Sequence, residues 1–129
     1  MSECIFCKIA ANELSCYKVY EDASCLAFLD IKPVTSGHVL VIPKDHYKDM
    51  TETPEALIAH IFSVAKDLMV TLKEKLAADF VVLSVVGQDV SHFHLHLIPR
   101  KLGDGLSNFW PTMTCGESEM NEVLNKIVN

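Results

Sequence analysis

The sequence predicts an α+β domain: a mostly antiparallel sheet of about five strands, one long helix and a C-terminal helix. Three observations carry this. Short β-rich runs bounded by turn residues lie on both sides of the chain's middle. A single long stretch of helical periodicity separates them. Near the end, Ser91 to Arg100 alternates histidine with large apolar residues at a strict period of two, the signature of a half-buried strand. At 129 residues, the chain has room for one core, so residues 1–129 are expected to form a single domain.

The elements follow in order. The first fifteen residues hold Cys4-x-x-Cys7 and then a short polar stretch. Tyr17 to Tyr20 and Cys25 to Leu29 read as two strands of a hairpin, since the Asp and Ser of Glu21-Asp22-Ala23-Ser24 favour a turn. Asp30 ends the second strand, and Pro33 to Gly37 makes a loop. Val39 to Ile42 is a continuous apolar run between Gly37 and Pro43, hence a buried central strand, with His38 at its entrance and His46 beyond its exit. Thr53-Pro54-Glu55 reads as a helix start, with Thr53 at the N-cap and Pro54 at the first helical position. Leu57, Ile61, Ala65, Leu68, Leu72 and Leu76 then mark an amphipathic helix of about six turns. Phe80 to Val86 is a β-branched strand, and Gly87-Gln88-Asp89 turns the chain into the histidine strand, which Pro99 ends. Gly103-Asp104-Gly105 opens a loop. Residues from about 117 to 128 carry a helical pattern in Met120, Val123, Leu124 and Ile127.

Charge and composition exclude several classes. The net charge of −6, from 11 basic and 17 acidic residues, argues against nucleic-acid binding, whose footprint is a dense basic patch. No segment approaches the ~20 apolar residues of a membrane span. The N-terminus lacks the basic start and apolar run of a signal peptide, so a cytoplasmic location is expected. The five cysteines are odd in number and unevenly spaced, which favours free thiols or a metal pair over a disulfide framework.

Three of the six histidines, His92, His94 and His96, would share one strand face, with Phe93, Leu95 and Leu97 on the other. Three chemistries suit such a row. A neutral imidazole can attack phosphorus and form a covalent phosphoryl- or nucleotidyl-histidine, with neighbouring rings bonding the phosphate. Histidines at i and i+2 on a strand can also share a zinc ion. Or they fill a semi-polar face without chemistry. The spacing alone leaves all three open.

His92-Phe93-His94-Leu95-His96-Leu97-Ile98 resembles the His-φ-His-φ-His-φ-φ signature of the histidine triad (HIT) superfamily of nucleotide hydrolases and transferases. Cys4-Ile5-Phe6-Cys7-Lys8-Ile9, Phe28-Leu29-Asp30-Ile31-Lys32-Pro33, Gly37-His38-Val39-Leu40-Val41-Ile42-Pro43-Lys44 and Gly87-Gln88 resemble it too, in the family's order. The likeness spans roughly residues 3–105 and looks nearest to small bacterial proteins related to adenosine phosphoramidases.

The resemblance implies a role for each matching residue. His94 is the nucleophile toward the α-phosphorus, His96 stands beside the bridging atom and leaving group, and His38 belongs to the network next to the phosphate. Asp30 accepts hydrogen bonds from ribose hydroxyls, and Gln88 lies where the phosphate is held. Val81 to Val86 replaces the family's Asn-rich stretch before Gly87-Gln88, so the polar contact there is missing or shifted to Ser84. Cys4, Cys7, His46 and His92 would close a tetrahedral structural zinc site that pins the N-terminal segment to the back of the catalytic strand. No catalytic metal is implied.

The expectation is therefore a homodimeric hydrolase that cleaves the substituent from the α-phosphate of a purine nucleotide. Phosphoramidates come first as substrates, with dinucleoside polyphosphates behind them. A nucleotide-binding or interaction protein with vestigial hydrolase activity is the alternative. Trp110 is expected to pack on the sheet, with a reach toward the site as the alternative, and His60 to be a surface residue of the long helix.

Overall fold

The order of apolar runs and turns resolves into five strands and three helices in a computed structural model that describes residues 3–129. They are α1 (Ile5–Ala10), β1 (Lys18–Glu21), β2 (Cys25–Leu29), β3 (Val39–Pro43), α2 (Glu55–Lys75), β4 (Phe80–Ser84), β5 (Leu95–Arg100) and α3 (Glu117–Val128). A 3₁₀ turn, Met50–Glu52, precedes α2. The strands form one antiparallel sheet in the order β1-β2-β3-β5-β4. The fold class is α+β, as expected from the sequence.

Period-two alternation divides the core between the two sheet faces. Ala27, Val39, Val41, Phe93, Leu95 and Leu97 point to one face and bury Ile61, Val64, Ala65, Leu68 and Leu72 of α2 against them. Leu26, Phe28, Leu40 and Ile42 point to the other and receive Phe6 and Ile9 of α1. The register places Leu40 opposite His96 and Ser84 opposite His96. The imidazole row therefore lies on the α1 face.

Asp22 makes the β1–β2 turn by accepting the Ser24 and Cys25 backbone N–H groups at 2.8 and 2.9 Å. It also receives the Tyr20 hydroxyl at 2.7 Å and His60 Nε2 at 2.6 Å. His60 is a surface residue as expected, and it ties α2 to the hairpin.

Several expectations require correction. The N-terminal stretch is not irregular: Cys4 caps α1, its Sγ accepting the Cys7 N–H at 3.4 Å. That segment lies on the histidine face of the sheet rather than its back, because Phe6 and Ile9 are its only large buried side chains and both face Leu40 and Ile42. Pro54, not Thr53, occupies the N-cap position of α2. The Thr53 hydroxyl instead donates to the Asp49 carbonyl at 2.9 Å, closing the preceding turn. β4 ends at Ser84 rather than Val86, and the β5 ladder begins only at Leu95. Its partners β3 and β4 offer no rungs further back. The alternation of faces nonetheless continues to His92, with Phe93 buried in the helix-side core.

Among the described residues no helix is long and apolar enough to cross a membrane.

Candidate functional site

The buried face beside α1 carries His92, His94, His96 and His38, all at least nine-tenths buried. Each ring has one nitrogen fixed by a partner whose hydrogen-bonding sense is known, which decides what the other nitrogen offers.

His92 Nε2 donates to the Pro43 carbonyl at 2.9 Å, leaving Nδ1 as a lone pair. That Nδ1 lies 3.4 Å from Cys4 Sγ and 3.6 Å from Cys7 Sγ, and His46 Nδ1 lies 3.3 Å from Cys7 Sγ. All four ligand atoms fall within 4.8 Å of one another. A thiolate and an imidazole on one tetrahedral zinc stand roughly 3.6 Å apart, so these residues fit the ion. The carbonyl behind His92 is the outer partner that such ligands normally have. Burial, then the hydrogen bond and charge of Cys4, push the Cys7 thiol up to about 11; a dication is what lets two such thiols ionise together.

His94 Nδ1 donates to the His92 carbonyl at 2.7 Å, which turns Nε2 outward. The Phe6 ring packs edge-on against both His92 and His94, with centroids 5.8 and 5.1 Å away. Asp89, 62 % exposed at its side chain, brings Oδ1 to 3.1 Å from His94 Nε2, a charge pair when the ring is protonated. Partial burial pushes the Asp89 carboxyl up. The N–H groups of Asp89 and Val90 and the nearby His94 outweigh it, so the group stays ionised.

The Val34 backbone N–H donates to His38 Nδ1 at 3.0 Å. The His38 proton therefore sits on Nε2 and is donated to His96 Nδ1 at 2.9 Å. That in turn places the His96 proton on Nε2, which is the one buried side-chain nitrogen or oxygen without a hydrogen-bond partner among the described residues. Burial lowers the pKa of both His38 and His96 from 6.5 and keeps them neutral; Asp30 opposes this weakly at His38. Asp30 Oδ2 lies 3.7 Å from His38 Nε2, and Oδ1 accepts the Lys32 N–H at 2.9 Å.

Beyond His96 lies a cavity of about 480 Å³ lined by His38, Ser84, Val82, Ile98, Arg100 and the 106–110 segment. Ser84 thus joins the site beside His96. Gln88 is exposed and outside the cavity wall. Trp110 does not pack on the sheet: it is 83 % exposed at the cavity rim. The cause is Arg100. Its guanidinium pairs with Asp104 at 2.5 and 2.8 Å and reaches the Leu106 carbonyl and Asn108 at 3.1 and 3.2 Å. These contacts hold the segment along the rim. Sequence reasoning missed Asp89, Arg100 and Asp104; the four-residue spacing of the last two was the one available signal.

Fold and site together define a class, an antiparallel α+β domain with an imidazole row on the central strands and a Cys₂His₂ cluster at one end of it. The comparisons identify the family. The HIT domain model matches residues 11–103, and the chain belongs to the HIT family. It is 35 % identical to the adenosine 5'-monophosphoramidase hnt1 of Schizosaccharomyces pombe, over 96 % of this chain and 95 % of that one. Among solved structures, a HIT family protein from Bacillus anthracis superposes with a TM-score of 0.85 at 39 % identity, covering 97 % of this chain and 94 % of its own. A zinc-bound histidine triad family protein from Mycobacterium smegmatis superposes at 0.79 with 36 % identity, covering 87 % and 85 %.

Proposed function

We propose that the protein is a hydrolase that cleaves the substituent from the α-phosphate of a purine nucleoside 5'-phosphoramidate or a related nucleotidyl conjugate, through a nucleotidyl-His94 intermediate. The observation that carries this reading is the pairing of two fixed tautomers. The backbone holds His94 with Nε2 outward, and the neighbouring ring, 5.0 Å away between centroids, carries an unpartnered N–H at His96. The neutral His94 ring offers an Nε2 lone pair once substrate displaces Asp89 from it, and His96 offers a hydrogen-bond donor.

His94 Nε2 attacks phosphorus while its Nδ1–H stays on the His92 carbonyl, which supports the positive charge that the ring acquires. His96 Nε2–H donates to the atom joining the leaving group to phosphorus, and His38 holds His96 in that tautomer. The bond to the leaving group breaks as its bridging nitrogen takes up the His96 Nε2 proton. Water then attacks the nucleotidyl-histidine on phosphorus and returns a proton to His96, releasing the nucleoside monophosphate and freeing His94. Asp30, half-buried beside His38, accepts hydrogen bonds from the ribose hydroxyls, and Ser84 and Gln88 supply polar contacts toward the phosphate. The phosphoramidase named among the relatives supports this choice of substrate.

Cys4, Cys7, His46 and His92 would hold zinc, whose contribution is structural: it would join α1 to the residues after β3 and the run before β5. The zinc-bound relative supports this. Cys4→Ser with Cys7→Ser is expected to release about one zinc per chain, measured by elemental analysis, and to lower the melting temperature; retention of metal would overturn the assignment.

A homodimer is also proposed. The outer edge of strand β4 and the exposed stripe Met120, Val123, Leu124 and Ile127 of α3 have no partner among the described residues, and a second copy would cover both.

Turnover of adenosine 5'-phosphoramidate that vanishes in His94→Ala, with a nucleotidylated wild-type chain trapped by mass spectrometry, is the expected result. Asp89 against the nucleophilic nitrogen favours a second reading, a nucleotide-binding protein with vestigial hydrolase activity. Nucleotide binding by the wild type without turnover would establish that instead.

A further inference from the structure

We propose that Arg100 and Asp104 set which substituent the α-phosphate can carry: the cavity beyond His96 takes an uncharged, largely apolar group and rejects an anionic phosphate chain. This rests on the reading of His94 and His96 as the phosphate end of the site.

Val82, Ile98, Leu106, Phe109 and Trp110 supply the apolar surface of the cavity wall, and about 480 Å³ is ample for an aryl group or an amino-acid side chain. A phosphate chain entering the same space would need cations to replace its water. Arg100 is the cation on this wall, and two of its three nitrogens, Nε and Nη2, are committed. Both oxygens of Asp104 bind it in a bidentate pair, and the Leu106 carbonyl and Asn108 take further contacts from the same nitrogen. The Arg100 side chain is buried and that of Asp104 is half-buried, 6 and 19 % exposed, so a carboxylate directly behind the wall offsets the guanidinium charge. His38 and His96 also face the cavity and are neutral through burial. The wall therefore presents apolar surface, one N–H at His96, the Ser84 hydroxyl and a guanidinium whose charge Asp104 offsets.

Asp104 acts through Arg100 and is a positioning residue. It offsets the guanidinium charge and, by the same contacts, fixes Leu106 to Asn108 as the rim. Freeing Arg100 should reverse the preference, an outcome that mere loosening of the fold would not produce.

The test compares three adenosine 5'-phosphate derivatives on the full chain: the unsubstituted phosphoramidate, its N-benzyl derivative and diadenosine triphosphate. In the wild type, kcat/KM for the benzyl compound is expected to exceed that for the unsubstituted one by about tenfold, with the triphosphate lowest. Asp104→Asn should raise the triphosphate-to-benzyl ratio by about tenfold, and Asp104→Glu should keep the wild-type ratio. Leu106→Lys, at a half-exposed rim position that tolerates a charge, should move the ratio the same way as Asp104→Asn even if the asparagine variant folds poorly. A ratio unchanged in Leu106→Lys and in folded Asp104→Asn overturns the proposal. The same compounds titrated into His94→Ala separate this from failure of the hydrolase reading. Tighter binding of the benzyl compound than of the triphosphate, without turnover by the wild type, supports the cavity assignment and overturns hydrolysis; equal affinities overturn the assignment.

Discussion

Lowering the pH should destabilise the fold through the His38–His96 pair, at a pH above that at which the paired carboxyls of Glu21 and Asp104 titrate. Both rings are buried and their pKa values are lowered from 6.5, burial being the first cause in each. The unfolded chain therefore takes up their protons as pH falls through 6.5 while the folded chain does not. Stability is full above that value and is lost below it, until the folded-state pKa values are reached. Each proton bound only by the unfolded state contributes about 1.4 kcal/mol per pH unit, so the two rings together give at most about 2.7 kcal/mol per unit. Glu21, held at about 2 by Lys18 and Lys44, and Asp104, held low by Arg100, titrate well below this window. Urea unfolding between about pH 7.5 and 5.5 at constant ionic strength reads the slope directly. Loss of the proposed zinc would add its own pH dependence, so the informative quantity is a difference. His38→Gln removes one of the two protons and should flatten the slope by about 1.4 kcal/mol per unit relative to wild type, while the metal contribution is common to both. Equal slopes would refute the claim that burial keeps this pair neutral.

Two further outcomes follow from single positions. Gly37 adopts φ +95° immediately before His38, and an added Cβ would overlap Leu76 and meet Pro99 Cγ at 3.3 Å. Gly37→Ala should cost about 1–3 kcal/mol in urea unfolding, and an unchanged midpoint would show that the loop relaxes freely. Asp89 places a carboxylate at the nitrogen that the proposed reaction brings to phosphorus. Because it is largely exposed, removing its charge in Asp89→Asn should release only about 1 kcal/mol of repulsion, a roughly fivefold fall in KM for an anionic substrate with kcat unchanged; a rise in KM would mean that Asp89 helps to bind.

How much was legible in the sequence depended on whether one local cause fixed each feature. The α2 stripe and the α3 pattern predicted helices because 3.6-residue periodicity is local, and α3 runs over Glu117–Val128 as read. Helix α1 was not legible: six residues carry too little periodicity, and its buried side chains are Phe6 and Ile9, which only the folded sheet supplies with partners. The start of β5 was misread for a related reason. Alternation reveals which way side chains point, whereas a ladder also needs neighbours, and β3 pairs with β5 only from Leu95 to Leu97. In the site, the histidines, Cys4, Cys7 and Asp30 were visible as motif positions. Asp89 and the Arg100–Asp104 pair were not, because their place depends on where two loops return in space.

The imidazole row looked like three equal residues, and its alternation could not say otherwise. What divides them is the partner of each ring's fixed nitrogen. The Pro43 carbonyl takes the His92 Nε2 proton and leaves Nδ1 for the sulfurs. The His92 carbonyl takes the His94 Nδ1 proton and leaves Nε2 facing outward. His38 donates to His96 Nδ1 and leaves an N–H instead of a lone pair. One strand face thus yields a metal-ligating lone pair, a second lone pair suited to attack and a hydrogen-bond donor. Conflict between a shared face and separate jobs disappears, since the rings need only rotate about their own side-chain bonds. The two ends are also joined. His94 is anchored on the backbone of His92, and Phe6, from the helix that Cys4 and Cys7 would fasten to zinc, lies against both rings. The structural cluster therefore bears on the proposed nucleophile through one carbonyl and one aromatic edge, with no bond between the two centres.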